Sequence, residues 1–163
     1  MALFDASLIS IESIECLPSG YKIRPIDKAD FGAVEVLRVL TTVGDVTREA
    51  FEKVYESWVS HKDTYYVLVI ENDIGDIVSV GSLIVEKKLI HNCGSIGHIE
   101  DIAVAKSEQG KKLGLTLIKT LTSISERLGC YKTILDCSEN NIGFYEKCGF
   151  QKTGAMMTRR VEH

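Results

Sequence analysis

The stretch from His98 to Gly114, HIEDIAVAKSEQGKKLG, places the tightest limits on the fold of this chain. Its first half, residues 99–105, is apolar and β-branched, which predicts a buried strand carrying two adjacent carboxylates, Glu100 and Asp101. Apolar residues then recur in steps of three and four from Leu113 onward, which predicts an amphipathic helix. Because free N–H groups and the positive end of the helix dipole meet at a helix start, the loop between strand and helix suits an anion.

The loop does not match the common nucleotide-binding motifs. A Walker A loop requires a lysine directly after its second glycine, whereas Leu115 follows Gly114. The dinucleotide pattern G-x-G-x-x-G is absent as well. Taken alone, the segment therefore fits both an anion site and an ordinary strand-turn-helix unit.

Composition narrows the class of protein. The 163 residues suit one domain with one core, and the net charge of −4 argues against nucleic acid as a main partner. No apolar run approaches the roughly 20 residues of a membrane span. The five cysteines form neither a C-x-x-C pair nor a zinc-binding spacing, and the first twenty residues contain no lysine or arginine. We therefore expect a cytoplasmic protein with reduced thiols and without a metal site.

The order of the predicted elements indicates an α/β domain at residues 21–163, preceded by an N-terminal extension at residues 1–20. Strands and helices are expected in the order β-α-α-β-β-β-α-β-α-β, with the last strand at Phe150–Met157. A hairpin turn joins two early strands, and Gly81 in the second of them predicts a bulge or a close approach. The pattern predicts a mixed central sheet flanked by helices, antiparallel at first and parallel near its end.

A second pattern, NIGFYEKCGF at residues 141–150, resembles the N-x-x-(A/G)-x-x-(F/L)-Y-x-K-x-G-F signature of the GNAT superfamily of N-acetyltransferases, with a shorter spacing before the tyrosine. The loop at residues 109–114 resembles the Q/R-x-x-G-x-G/A phosphate loop of that superfamily, with Lys112 in place of a glycine. Further blocks resemble the branch that acetylates glucosamine 6-phosphate: TTVG at 41–44, KLIH at 88–91, GHIEDIAV at 97–104 and GCYKTILDC at 129–137.

The resemblance implies the GNAT fold and a transfer of the acetyl group of acetyl-CoA to the 2-amino group of glucosamine 6-phosphate, a step of UDP-N-acetylglucosamine biosynthesis. The amine is expected to attack the thioester directly in a ternary complex, with the backbone N–H of Ile102 stabilising the oxyanion. Tyr145 is expected to protonate or hydrogen-bond the departing thiolate, and Glu100 or Asp136 to act as the base, a choice that stays open. The implied acetyl-CoA site consists of Ile102, Ala103, Val104, Gln109, Gly110, Lys111, Lys112, Leu113, Gly114, Asn141 and Tyr145.

The same resemblance implies a second site, for the amino sugar phosphate. Arg160 lies near the C-terminus, and in this family the corresponding arginine reaches the site of the partner subunit. The implied assembly is therefore a homodimer with composite active sites. The implied sugar-phosphate residues are Thr41, Lys88, His91, Glu100, Asp101, Tyr131, Lys132 and Arg160.

Other roles and functions stay open at this point. The same fold could acetylate another amine, of a protein, a polyamine or an aminoglycoside, although a cationic substrate would favour an acidic pocket over these basic residues. An acetyl-CoA-binding regulatory module without turnover is a further alternative. The site residues also fit purely structural roles. Lys111 and Lys112 fit a solvated helix start, Asn141 fits a helix cap, and Tyr145 fits a packed aromatic ring. Glu100 and Asp101 fit salt bridges, and Arg160 fits a solvated basic pair near the C-terminus.

Overall fold

Five strands form one sheet in the computed structural model, which describes residues 1–161. The strands lie side by side in sequence order; the first three neighbouring pairs are antiparallel, and the last two strands are parallel. The prediction of a mixed α/β sheet is confirmed, and residues 162 and 163 of the predicted domain lie outside the described residues. The strands are β1 (Lys22–Pro25), β2 (Tyr65–Glu71), β3 (Ile77–Lys87), β4 (Ser95–Val104) and β5 (Cys130–Ile134).

Helical segments connect the strands and cover both faces of the sheet. Thr47 caps the third helix by accepting a hydrogen bond from the Ala50 N–H, and Gly129, with φ 80°, follows the end of the fifth. The helices are α1 (Ile11–Glu15), α2 (Ala33–Leu37), α3 (Arg48–Ser60), α4 (Ile90–Cys93, a single irregular turn), α5 (Leu113–Arg127) and α6 (Ile142–Lys147).

Alternation along the strands divides the core into two apolar layers. On β2, Leu68 packs in the layer that contains α5, whereas Val69 packs in the layer that contains α2 and α3. Leu117 and Leu121 of α5 are completely buried. The helix that starts at the predicted anion loop is therefore fixed firmly against the sheet.

The last predicted strand, Phe150–Met157, does not form within the chain. Residues 151–161 are exposed and carry no regular secondary structure. A strand needs a neighbour for its N–H and C=O groups, and this segment is paired with none of the five strands. Two other elements are shorter than predicted: β5 ends at Ile134 rather than Cys137, and α2 replaces a longer helix at residues 27–40, because mostly β-branched residues follow it.

Candidate active site

β4 is bulged at the two carboxylates singled out in the sequence. Gly81 of β3 stands opposite two residues of β4, Asp101 and Ile102, and Asp101 has a left-handed φ of 53°. The bulge breaks the alternation of the strand, so Glu100 and Asp101 are both exposed. The prediction of two carboxylates within a buried strand is therefore wrong, because the backbone turns both side chains out of the core.

The bulge depends on the absence of a side chain at Gly81. A Cβ atom built there lies 2.5 Å from Cδ1 of Ile102 and 3.3 Å from Cδ1 of Leu121. The first distance is far inside van der Waals contact. Ile102 thus fills the space beside Gly81, and the expectation that this glycine marks a bulge and a close approach is confirmed.

Beyond the bulge, β4 has an open edge. β5 pairs with β4 only at residues 95–98, so the two parallel strands separate from residue 99 onward. The Ala105 N–H and the Ala103 C=O both bond to β3, which by alternation leaves the main-chain groups of Ile102 and Val104 facing the opening. Such an edge accepts an extended ligand through main-chain hydrogen bonds, as an added strand does.

The charge of one predicted catalytic residue, Asp136, acts on the other two, Glu100 and Tyr145. Partial burial, together with the charges of Asp136 and Asp101, raises the pKa of the Glu100 carboxyl group. Burial, two cysteine thiols and Asp136 raise the pKa of the Tyr145 phenol. Asp136, in the segment after β5, therefore lies near both Glu100 and Tyr145.

Tyr145 and Asn141 are positioned by α6. The Tyr145 ring lies between the rings of Phe144 and Phe150, at centroid distances of 5.1 and 6.2 Å, so the residue is also a packed aromatic. Asn141 stands at the N-cap position of α6, but its side chain makes no capping hydrogen bond. Its amide is therefore not used as a helix cap, which was one of the alternatives.

The turn that leads into α5 presents main-chain N–H groups. Gly110 and Lys112, with φ of 88° and 62°, turn the chain, and Lys112 at the N-cap makes no side-chain capping bond. Because the first N–H groups of a helix have no acceptor within it, they are available to a ligand. A cavity of about 290 Å³ lies at this turn, lined by residues 108–110 and 112–115 with Val104 and Phe144.

The left-handed backbone at Lys112 explains why glycine is usual at this position of the motif. Glycine adopts that conformation without steric cost, whereas a residue with a Cβ atom loses about 1–2 kcal/mol. The turn keeps this geometry despite the lysine. The main-chain cradle is therefore present although the motif departs from its pattern.

The neighbouring lysine is engaged by two residues that the sequence did not point to. Nζ of Lys111 donates to Oε2 of Glu108 at 2.7 Å and to the Tyr21 hydroxyl oxygen at 2.8 Å, and the Tyr21 O–H donates to the same Glu108 oxygen at 2.5 Å. Lys111 thus enters the turn through its main chain, with its ammonium group held to one side. Tyr21 and Glu108 are 87 positions apart, and no pattern in the sequence signals their contact.

Four of the predicted sugar-phosphate residues meet in one place, here named the acceptor corner: Lys88, His91, Tyr131 and Lys132. The His91 and Tyr131 rings stack with centroids 4.3 Å apart, and Nζ of Lys132 lies 6.0 Å from the Tyr131 centroid. Gly94 joins Lys88 to His91, because its C=O accepts from the Lys88 N–H and its N–H donates to the His91 C=O. His91 itself is left-handed, with φ 50°.

Hydrogen bonds through Glu86 connect the acceptor corner to His98, on the strand that carries the carboxylates of the bulge. The two oxygens of Glu86 lie 2.6 Å from Nζ of Lys88 and 2.8 Å from Nε2 of His98, and these contacts lower the pKa of Glu86. His98 in turn acts to lower the pKa of Glu100. Glu86 and His98 received no predicted role, although both are polar residues on strands beside predicted site residues.

Two predicted residues lie apart from this corner. Thr41 is exposed in the loop after α2, and Arg160 is exposed in the C-terminal segment 151–161. Within residues 1–161, no hydrogen bond or ion pair joins either side chain to the acceptor corner. The single chain therefore assembles the carboxylates, the phosphate turn and the acceptor corner, but not Arg160.

Among residues 1–161, no three histidine, cysteine, aspartate or glutamate side chains are grouped to hold a metal ion. Over the same residues, no helix combines the length and the apolar character that crossing a membrane requires.

Comparison with known proteins gives one consistent result. The sequence profile of the acetyltransferase (GNAT) family matches residues 31–150. A Candida albicans protein named glucosamine 6-phosphate N-acetyltransferase is 51% identical over 146 residues, which cover 88% of this chain and 98% of that protein. A Dictyostelium discoideum protein named glucosamine 6-phosphate N-acetyltransferase 1 is 45% identical, over 85% of this chain and 90% of that one. The crystal structure of glucosamine-6-phosphate N-acetyltransferase from Arabidopsis thaliana matches with a TM-score of 0.84 and 40% identity, over 87% of this chain and 99% of that chain.

Proposed function

Because the chain belongs to the acetyltransferase (GNAT) family, we propose that it transfers the acetyl group of acetyl-CoA to the 2-amino group of glucosamine 6-phosphate. The observation that carries the proposal is the hydrogen-bonded group of Lys88, Glu86 and His98, which adjoins the carboxylates Glu100 and Asp101 on β4. It puts cations for a phosphate and carboxylates for an amine in one site, which is the charge pattern of an amino sugar phosphate. The names of the relatives at 51% and 45% identity support the same substrate.

The residues present fit acetyl-CoA as the cosubstrate. The open edge of β4 offers main-chain groups of Ile102 and Val104 to the pantetheine amides, and the turn at residues 109–114 offers N–H groups to the pyrophosphate. Asn141, which makes no capping bond, has its amide available to the same arm. The lining of the cavity at the turn includes the two loop glycines, Gly110 and Gly114, where no side chain hinders the approach of phosphate oxygens to the backbone.

The chain supplies four groups for the transfer. The Ile102 N–H donates to the oxygen that becomes negative as the amine attacks. The Tyr145 O–H, with its pKa raised by burial, stays protonated at neutral pH and donates to the departing sulfur, whose conjugate acid has a pKa of about 8.5. Glu100, with its pKa raised by partial burial and by Asp136 and Asp101, accepts the amine proton, while Asp136 orients the amine.

The active unit is proposed to be a homodimer with composite sites. Residues 151–161 are exposed and unpaired, with Met156 and Met157 68% and 94% exposed, and β5 pairs with another strand on one side only. Exposed strand edges and exposed apolar side chains favour association. A C-terminal segment that pairs with a second copy would carry Arg160 to the partner's acceptor corner. The five free thiols suit the cytoplasm as its location.

The proposed substrate is tested by the release of CoA thiol from acetyl-CoA with a panel of amines. We expect glucosamine 6-phosphate to exceed glucosamine by at least about 100-fold in kcat/KM, because two or three charge-assisted contacts to the phosphate are lost without it. Equal rates would refute the phosphate site. A faster reaction with a polyamine, an aminoglycoside or a lysine peptide would establish the alternative acceptor instead, and CoA binding without turnover on any amine would establish the regulatory module.

A further inference from the structure

The N-terminal segment, residues 1–21, touches both ends of α5. At the C-terminal end of the helix, Nη1 of Arg127 donates to the C=O groups of Ser7 and Leu8 at 3.0 and 2.9 Å. At the other end, the Tyr21 hydroxyl joins Glu108 and Lys111 in the turn that leads into the helix. The segment therefore runs along the helix whose first turn forms the phosphate cradle.

Apolar packing fixes the segment between these two contacts. Ile9 is 7% exposed and belongs to the core layer of α5, and Leu17 and Tyr21 pack against that layer. Ser10 caps α1 by accepting a hydrogen bond from the Ser13 N–H. Tyr21 is thus presented to the turn by an ordered piece of chain.

The contact acts on the carboxylate of Glu108, to which both Tyr21 and Lys111 donate. Glu108 is one of the residues that line the phosphate cavity, and an unmatched carboxylate beside that cavity would repel an anion. Lys111 and Tyr21 donate to the same oxygen of Glu108, and these two hydrogen bonds, that of Lys111 before that of Tyr21, lower the pKa of Glu108. The ionised carboxylate is therefore both neutralised and held in one position.

We propose that Tyr21 is a positioning residue for acetyl-CoA, and that residues 1–21 brace the phosphate turn through its hydroxyl group. The inference rests on the proposed function only in taking the ligand of the turn to be the pyrophosphate of CoA. Tyr21 touches no substrate. It fixes Glu108, which together with Lys111 fixes the turn that presents the N–H groups, so that less conformational entropy is lost when CoA binds.

The test is the dissociation constant of CoA, measured by titration calorimetry without an amine, for Tyr21→Phe and Tyr55→Phe. Each variant removes one tyrosine hydroxyl group that anchors the N-terminal segment. The Tyr55 O–H donates to the C=O of Met1, within the segment, whereas Tyr21 belongs to the segment and bonds to Glu108 in the turn. Tyr55→Phe is therefore the control that leaves the turn untouched. In Tyr21→Phe, we expect CoA to bind about fivefold more weakly, while kcat at saturating acetyl-CoA stays within twofold of the original protein. In Tyr55→Phe, we expect the dissociation constant of CoA to stay within about 1.5-fold of the original, which is about the error of the method.

A double-mutant cycle with Glu108→Gln separates positioning from general loosening. In the Glu108→Gln background, Tyr21→Phe is expected to weaken CoA binding less than about twofold, because the charge that Tyr21 holds is gone. Unchanged binding in Tyr21→Phe, equal losses in Tyr21→Phe and Tyr55→Phe, or an undiminished loss in the Glu108→Gln background would each overturn the proposal. Normal CoA binding by a protein that fails to acetylate glucosamine 6-phosphate would instead count against the proposed function alone.

Discussion

The two halves of the site are built to different degrees of completeness within one chain. The cofactor half, formed by the bulge of β4, the turn at residues 109–114 and α5, is fixed by backbone geometry and by a buried helix. The acceptor half has an exposed Tyr131, and Arg160, which is proposed to complete it, lies in a C-terminal segment, residues 151–161, that pairs with no strand of the sheet. The contrast teaches that backbone geometry organises the cofactor half within one chain, whereas the acceptor half is not joined to Arg160 within that chain, and the proposed dimer would supply this cation from a second chain.

The difference has a physical origin in how each half is held. A main-chain cradle needs only local conformations, such as the positive φ of Gly110 and Lys112, and a firm support. A phosphate site built from long basic side chains needs those side chains to be brought together, and each one loses rotamer freedom. If the C-terminal segment pairs with another copy of the chain, that loss of rotamer freedom would occur at assembly, before the substrate binds.

The largest expected effect is that of Tyr145→Phe, in the cofactor half. Loss of the phenolic proton donor is expected to lower kcat about 100-fold, with the KM for acetyl-CoA within threefold, because the ring still packs between Phe144 and Phe150. Steady-state kinetics with both substrates measure this, and Tyr65→Phe, on β2 outside the site, is the control. An unchanged kcat would remove Tyr145 from the mechanism.

Gly81→Ala tests whether the bulge sets the oxyanion donor. The new Cβ displaces Cδ1 of Ile102, and we expect kcat to fall on the order of 30-fold as the Ile102 N–H shifts. Adding Ile102→Val, which removes that same Cδ1 atom, is expected to restore most of the activity. Gly143→Ala, at a glycine with no atom within 4 Å of the built Cβ, controls for a general loss of glycine. A double variant as slow as Gly81→Ala would show that the bulge does not act through this contact.

Arg160→Ala tests the proposed contact between Arg160 and the phosphate in the acceptor half. We expect the KM for glucosamine 6-phosphate to rise about tenfold, with little change in the KM for acetyl-CoA, since a charge-assisted contact is lost only from the phosphate. Arg159→Ala, the neighbouring cation of the same exposed segment, is the matched control.

Mixed chains decide whether Arg160 acts across the dimer. Co-refolding equal amounts of Arg160→Ala and Tyr145→Phe chains creates heterodimers in which one site has both Tyr145 and Arg160. About a quarter of the original sites are then intact if the site is composite, and none if it is not. Activity no higher than the mean of the two variants would place Arg160 in its own chain's site.

A smaller effect concerns Glu100 at the boundary between the halves. Its pKa is raised in the folded protein, so folding is disfavoured once the carboxyl ionises. Below the unfolded pKa the carboxyl is protonated in both states and costs nothing, and as pH rises through the folded pKa the stability is lost. Glu100→Gln is therefore expected to match the original Tm near pH 4 and to exceed it by about 1–2 °C at pH 7. Thermal melts across that range test this, and a variant with a lower Tm at pH 7 would contradict the sign of the shift.

The sequence predicted features that depend on neighbouring residues better than features that depend on residues far apart in the chain. The cap at Thr47, the glycine after α5 and the close approach at Gly81 follow from residue types and spacing, and all three are present. The left-handed turn at Asp101 depends on how β3 pairs opposite it, and the Tyr21–Glu108 contact spans 87 positions. The failed last strand has a third cause: within residues 1–161 the segment pairs with none of the five strands, and under the proposed dimer its partner would be a second chain.

The smallest expected effect is on stability, at Lys112, where two variants separate the role of the backbone from the role of the side chain. Lys112→Gly and Lys112→Ala both remove the ammonium group, but only glycine relieves the left-handed φ of 62°. We expect Lys112→Gly to be about 1 kcal/mol more stable than Lys112→Ala in urea unfolding, after the entropic cost of glycine is deducted. If the cradle binds through N–H groups, both variants also keep the dissociation constant of CoA within about threefold of the original. A loss above tenfold in both would assign the pyrophosphate contact to the lysine side chain instead, and the cofactor half would then depend on a flexible side chain as the acceptor half does.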